Sequence, residues 1–499
     1  MREPELDDAI ELRRLLAEVV EVRDEVKREG AALRESWGAH LVEPSAKARA
    51  TNLSHYVALR GSDITHLQYR LAAYGLSSLG RSEAAVMPAL EALIATLQRL
   101  CSEKPSPYPA RRTTRSGAQE LEAETIQVFG PPREGAPRSR ILATLPSGAA
   151  SDEELVESLM AAGMDCARIN CAHDEVEAWA AMIDNVRAAE KKLGVECRVL
   201  MDIAGPKCRV TGVDAGPKRR LTFGDRAIMT RKLDPRSHDE TPRFTISFPE
   251  ILAQLQVGSE VFIDDGKASA RVVAVAGDEI TIEIFAARAK GVRLRPDKGL
   301  NFPTTELTLP PLTTKDFRDL DFVAAHADMV GYSFVQRVED IELLQDHLAV
   351  RRGDLPPLAL VLKIETPLAV RNLPKLILSS LAHNPTAVMI ARGDLAVEIG
   401  FARLSEMQEE ILWLCEAART PVVWATQVLD QFVREGVASR SEMTDAAAAE
   451  GAECVMLNKG HHLVEGVAFL RDVLGRMDRH HAKRFPRYAP LTAWRRVQA

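Results

Sequence analysis

The spacing of hydrophobic and polar positions changes character several times along the chain. In the first hundred or so residues, Leu12, Leu15, Leu16, Val19, Val20 and Val22 recur among charged residues at near-helical spacing. A second such stretch spans 52–71, and 87–100 forms another amphipathic pattern beyond a turn at 75–80. Residues 1–100 are therefore expected to form a helical amino-terminal domain. His55, Tyr56, His66 and Tyr69 read as its packing and capping residues rather than as a site. Residues 101–137 are rich in Pro, Gly, Ser and Arg and read as a linker, with a short ordered piece around 126–129.

From 138 onward, short apolar runs alternate with amphipathic helical stretches. The runs are 140–145, 166–170, 198–204, 328–334, 358–365, 387–394, 421–427 and 453–458. The stretches between them include 152–160, 175–193, 314–326 and 404–418, and a last helix is expected over 464–480. Eight such alternations predict an α/β fold, a (β/α)8 TIM barrel in two parts, 138–210 and 299–485, with a tail at 486–499. The interruption, 211–298, alternates apolar and polar residues between Gly and Asp turns. It predicts an inserted small β-barrel lid domain. Because the insertion leaves and rejoins beside the third strand's carboxyl end, it is expected over the barrel mouth.

Polar residues gather where the runs end, the face on which such barrels carry their chemistry. They are Arg168 and Asn170 on the second run, Asp202 on the third and Ser333 on the fourth. The fifth ends in Lys363 and Glu365, the sixth in Arg392, Gly393 and Asp394, the seventh in Thr426 and Gln427, and the eighth in Asn458. Lys363 and Glu365 are two apart on a strand and so share a face. A buried cation beside a carboxylate is costly unless the two pair for structure or serve a ligand. A structural barrel has no use for charged groups at most of its strand ends, so a lysine for a phosphoryl group beside a carboxylate for a divalent metal is favoured.

Composition narrows the class. Hydrophobic residues at 46% and charged residues at 27% fit an ordinary globular protein. A formal net charge of −7 gives no footprint for nucleic acid or anionic membrane. The seven cysteines show no CxxC spacing and read as reduced thiols of a cytoplasmic protein. The first residues lack a signal-peptide pattern, and no apolar stretch approaches a bilayer-spanning length.

Seven segments, 166–174, 201–209, 263–266, 298–301, 362–365, 389–395 and 425–429, resemble successive motifs of the pyruvate kinase family, in the family's order and with the lid insertion at the family's place. The resemblance covers roughly 138–485. It implies phosphoryl transfer from phosphoenolpyruvate to ADP with Mg2+, for which Mn2+ is a substitute. Arg168 and Lys363 would then be the cations for the transferring group, and Glu365 and Asp394 the metal carboxylates. Backbone N–H groups at Gly393 and the adjoining Asp394 would receive the substrate carboxylate. Thr426 would be the hydroxyl near the enol carbon. Asn170, His173, Arg209 and Lys298 would serve the nucleotide, with Asp202 and Asp265 near the site.

The departures from the family pattern carry their own expectations. The family's monovalent-cation site uses a serine where this chain has Ala172, a threonine where it has Ile203, and most members have a glutamate where it has Lys207. Potassium-independent members carry lysine at that last position, so the Lys207 ammonium is expected to stand in for K+. Asn458-Lys459-Gly460 replaces the usual Ser-Gly-Glu of strand eight, which bears on the nucleotide side. On this resemblance the family's carboxyl-terminal regulatory domain is expected to have no counterpart and the helical amino-terminal domain to be extra, leaving assembly as a homo-oligomer open. The competing accounts are another phosphoenolpyruvate or pyruvate barrel enzyme, an aldolase or decarboxylase, and a catalytically silent phosphoenolpyruvate sensor.

Overall fold

A computed structural model describes residues 3–38, 44–214, 220–233, 241–482 and 485–486. Eight strands, Arg140–Thr144, Cys166–Asn170, Arg198–Ile203, Met329–Tyr332, Ala359–Ile364, Thr386–Ala391, Val422–Ala425 and Cys454–Leu457, close into a barrel in sequence order. Every neighbouring pair is parallel, including the first against the eighth. The predicted runs coincide with these strands. Several extended further at the carboxyl end, because residues such as Thr426 lie beyond the paired segment, in the turns of the mouth. The helix over Thr314–His326 begins with a capping box between Thr313 and Asp316, which fixes its start.

Alternation along the strands sorts the core into two layers. Ile141, Ile169, Met201, Val330, Leu362 and Ile390 face outward and pack on the helices. Leu142, Cys166, Leu200, Met329, Val361 and Met389 face inward and form a separate cluster. The same parity, continued by one step of two, brings Thr144, Arg168, Asp202 and Lys363 to the inside at the carboxyl end. The barrel interior is thus apolar below and charged above. At the corresponding step on the fourth strand stands Gly331, where a Cβ would lie 1.6 Å from Asp202 Oδ1. Only glycine leaves room for that carboxylate.

The floor of the barrel departs from expectation. Residues 111–129, read from the sequence as linker, form a helix, Arg111–Phe129. Its last turn inserts Val128 and Phe129 into the inward cluster. Glu124 Oε1 accepts a hydrogen bond from the backbone N–H of Thr386 at 2.9 Å, at the foot of the sixth strand. The helix was hidden because its apolar residues lie only in the second half, behind a polar, arginine-rich start and a proline-rich approach.

Before it, helices at Glu3–Trp37, Pro44–Leu59, Thr65–Ala73 and Val86–Leu100 share a core through Leu15, Val19, Leu53, Leu71, Leu90 and Leu97. They dock on the barrel. The Asn52 amide donates to Ala417 O at 2.8 Å, and the Arg49 guanidinium lies 2.8 Å from Glu124. Tyr56 is buried as expected, whereas Tyr69 stands exposed. The expected tail, 486–499, lies outside the described residues save for Pro486.

The insertion has its own core and a seven-stranded sheet running from Val210–Asp214 at one edge to Leu300–Asn301 at the other. An isolated bridge between Arg209 and Gly299 brings those edges together, so the sheet is nearly closed and both its ends root at one point above the third strand. Among the described residues, no helix is long and apolar enough to cross a membrane.

Candidate active site

The charged rim of the barrel carries two neighbouring sets of ion pairs. Arg168 reaches Asp202 Oδ2 through Nε at 2.7 Å and through Nη2 at 2.5 Å, and donates from Nη1 to Thr144 Oγ1 at 3.1 Å. Lys363 donates to Ser333 Oγ at 2.6 Å and lies 3.4 Å from both Asp202 Oδ2 and Glu365 Oε1. Glu365 Oε2 accepts from the Phe334 backbone N–H at 2.6 Å. A short way round the mouth, Lys207 Nζ lies 2.8 and 3.0 Å from the two oxygens of Asp394. Three carboxylates therefore face three cations.

The titration behaviour follows from burial and these contacts. Burial works against the Asp202 anion, but Arg168 and Lys363 outweigh it and hold its carboxyl below the usual range. Burial likewise works against the Lys363 ammonium, and Asp202 and Glu365 outweigh it, so the group stays charged. Glu365 goes the other way: burial and then the Asp394 charge push it up, with Lys363 only partly offsetting them. Glu365 and Asp394 thus repel each other across a gap, and a hard cation between them would relieve that repulsion. Among the described residues no three His, Cys, Asp or Glu side chains converge as a ready metal cage. Two carboxylates fit Mg2+, which keeps several waters and substrate oxygens in its shell.

Among the described residues, some buried polar atoms beside these ion pairs have no partner. Asp202 Oδ1 and Thr426 Oγ1 are both buried and unbonded. Thr426 and Gln427 sit at φ values of 62° and 58°, a conformation that costs a β-branched residue roughly 1–3 kcal/mol. Arg392 holds this turn in place. It donates to Ala425 O at 2.9 Å and to Thr426 O at 2.5 Å, while Asp445 grips its guanidinium at 2.5 and 2.9 Å. Gly393 is the next residue, in the first turn of the helix Arg392–Ile399. Its Cβ position lies 3.8 Å from Thr426 Oγ1, so the free hydroxyl and the free N–H groups of a helix start adjoin.

The residues singled out for a nucleotide divide. Asn170, His173 and Arg168 line a cleft of about 360 Å3 with Lys459, Arg434 and Asn458. Burial, then Lys459, Arg209 and Arg168, lower the pKa of His173 and keep it neutral. Arg209 itself is tied to Asp297 O at 2.9 Å, and Lys298 to Asp264 Oδ1 at 2.9 Å, both at the lid's root. Asp265 lies beside Lys207 across Gly299, whose Cβ position is 3.2 Å from Lys207 Cε and 3.8 Å from Asp265 Oδ1.

Sequence reasoning did not single out Thr144 or Glu398. Thr144 was legible from strand parity, whereas Glu398 gave no signal. Lys459 and Asn301 lie in segments that the sequence had marked, without a role given to either residue. The Asn301 amide donates to Glu398 Oε1 at 2.9 Å and to Asp394 Oδ1 at 3.4 Å, linking the lid's return to the rim.

Comparison with known proteins follows the same outline. A family model described as "Pyruvate kinase, barrel domain" matches residues 136–463. Pyruvate kinase of Agrobacterium vitis is 32% identical over 356 residues, covering 69% of this chain and 70% of that protein. Pyruvate kinase of Methylorubrum extorquens is 35% identical over 358 residues, covering 68% and 69%. Pyruvate kinase of Thermococcus litoralis is 30% identical over 364 residues, covering 72% and 73%.

Proposed function

Because the chain belongs to the pyruvate kinase family, we propose that it transfers the phosphoryl group of phosphoenolpyruvate to ADP, giving pyruvate and ATP, with Mg2+ and without K+. The observation that carries this is the fixed pair of cations, Arg168 and Lys363, held on Asp202 within reach of the carboxylates Glu365 and Asp394.

Phosphoryl transfer asks the protein mainly to position the reactants and neutralise charge. Arg168 presents its planar fork and Lys363 its ammonium to the transferring oxygens. Neither has to be ordered when substrate arrives, since Asp202, Thr144 and Ser333 already hold them. Glu365 and Asp394 would hold Mg2+, which supplies charge for the phosphoryl oxygens. Backbone N–H groups at Gly393 would take the substrate carboxylate, and Asn170 and His173, with Arg209 and Lys298 from the lid's root, the acceptor. The bond from phosphorus to the enol oxygen breaks, a bond to the acceptor's terminal phosphate oxygen forms, and the enolate gains a proton at carbon. The Thr426 hydroxyl, buried and unpartnered, would pass that proton.

The independence from K+ rests on Lys207. Its ammonium already brings a positive charge to Asp394, while Ala172 and Ile203 offer no side-chain oxygen to a monovalent ion. Activity that is negligible without monovalent metal ions and restored by K+ would overturn this part alone. All seven cysteines are free, in keeping with a cytoplasmic enzyme.

A further inference from the structure

We propose that Glu398 is a positioning residue for Asp394: it ties the short helix that carries Asp394 to the strand on which the lid returns, and so fixes where a divalent ion is held. This rests on the reading of Asp394 as a metal carboxylate.

The helix Arg392–Ile399 is eight residues long and ends at Gly400, whose φ is 87°. A helix so short does not hold its own shape in water, so its direction depends on what grips it. At its start the grip is Arg392, on Ala425 O, Thr426 O and Asp445. Farther along, Asp394 and Glu398 are four residues apart and share a face. Asn301, buried on the lid's return strand, serves both with one amide nitrogen, 2.9 Å from Glu398 Oε1 and 3.4 Å from Asp394 Oδ1. The shorter bond goes to Glu398, and the backbone of Phe302 adds another to the same carboxyl. Asp394 receives the longer contact and gives its oxygens to Lys207. The strand therefore holds the helix at Glu398, and Asp394 is placed through it.

Three observations separate this contact from ordinary surface packing. Leu300 and Asn301 pair with Ile263 and Phe262, on the strand that runs into the turn at 264–266. A Cβ at Gly266 of that turn would lie 3.9 Å from Val397 Cγ1, so the lid rests on this helix at two adjoining residues. Asn301 Oδ1 is buried and, among the described residues, has no partner. Leaving one end of a buried amide unsatisfied lowers stability, and what the other end serves is the pair of carboxylates. Burial pushes Glu398 up to about 7, so below neutral pH it acts as a hydrogen-bonding group and not as a further anion competing for the ion.

The test is Mn2+ titration of the full chain, monitored by calorimetry at pH 6 without phosphoenolpyruvate, for the wild type, Glu398→Ala, Glu398→Gln and Asn301→Ala. At that pH Glu398 is mostly protonated, so glutamine copies it and keeps the tie, whereas alanine cuts it. Affinity should be about tenfold weaker in Glu398→Ala, the low end for losing a group that orients a metal ligand, and close to wild type in Glu398→Gln. Asn301→Ala should weaken binding to a similar degree, and the double variant with Glu398→Ala should be little worse than either alone. Without metal, amide exchange over 393–400 should quicken in Glu398→Ala and not in Glu398→Gln. Wild-type Mn2+ affinity in Glu398→Ala, or affinity lost equally in Glu398→Gln, overturns the role of Glu398 and leaves the phosphotransferase reading intact. Should Glu398→Ala not fold, Asn301→Ala cuts the same tie and decides, wild-type affinity there overturning the role. A wild type that binds no Mn2+ overturns both the role and the metal assignment.

Discussion

Lys207 Nζ bridges both carboxylate oxygens of Asp394, at 2.8 and 3.0 Å, from the segment where the chain leaves the third barrel strand for the lid. The pair places a cation a short way round the mouth from Arg168 and Lys363. Replacing Lys207 by Glu puts a third anion beside Asp394 and Glu365. Activity should fall by about a hundredfold or more, the scale of removing one preorganised charge from a transfer site. Added K+ should restore it only in part, because Ala172 has no hydroxyl to bind the ion. Steady-state rates with and without KCl check this.

Gly331 and Asp202 occupy adjoining strands with no space for a Cβ between them. Gly331→Ala should push the Asp202 carboxylate off Arg168 and Lys363 and destabilise the barrel by about 1–3 kcal/mol or more. Urea denaturation reads the stability, and phosphoenolpyruvate affinity reads the displaced cations. A variant as stable and active as the wild type would show that the rim is looser than its contacts imply.

Phe129 closes the barrel from below. Phe129→Ala should cost about 3–5 kcal/mol, as for other large-to-small changes in a core. A chain beginning at Arg138 would lack this plug and the Glu124 bond to Thr386. It is expected to aggregate or unfold rather than persist as a free barrel, which light scattering and circular dichroism distinguish.

Glu398 is pushed up to about 7, first by burial, with the Asn301 amide lowering it and Asp394 raising it. A carboxyl whose folded pKa exceeds its unfolded value near 4.5 holds its proton longer in the folded state. Without Mg2+, stability should therefore fall as pH rises between about 4.5 and 7 and level off above. Glu398→Gln removes that slope and gains roughly 1–3 kcal/mol over the wild type at pH 8. Denaturation midpoints at pH 5 and pH 8 test the sign.

The barrel was legible because two periods, two along strands and 3.6 along helices, run through it almost without interruption. Its chemistry was legible because parity carries Arg168, Asp202 and Lys363 inward on the heels of apolar neighbours. What escaped depends on partners distant in sequence. Phe129 looks like the end of a linker until the barrel floor is there to receive it. The Asn301–Glu398 contact joins residues 97 apart and leaves no periodic trace. Lys298 and Arg209 sit where expected along the chain, yet their bonds to Asp264 and Asp297 O turn them toward the lid's root.

The most direct test is pyruvate formation from phosphoenolpyruvate and ADP with Mg2+, in buffer free of K+ and other monovalent metal ions. The account predicts steady turnover there, stimulated little by added K+. Turnover only when K+ is present would reject Lys207 as the built-in cation. No turnover in either buffer, with phosphoenolpyruvate still bound, would contradict the phosphotransferase itself and leave a sensor or a different barrel chemistry.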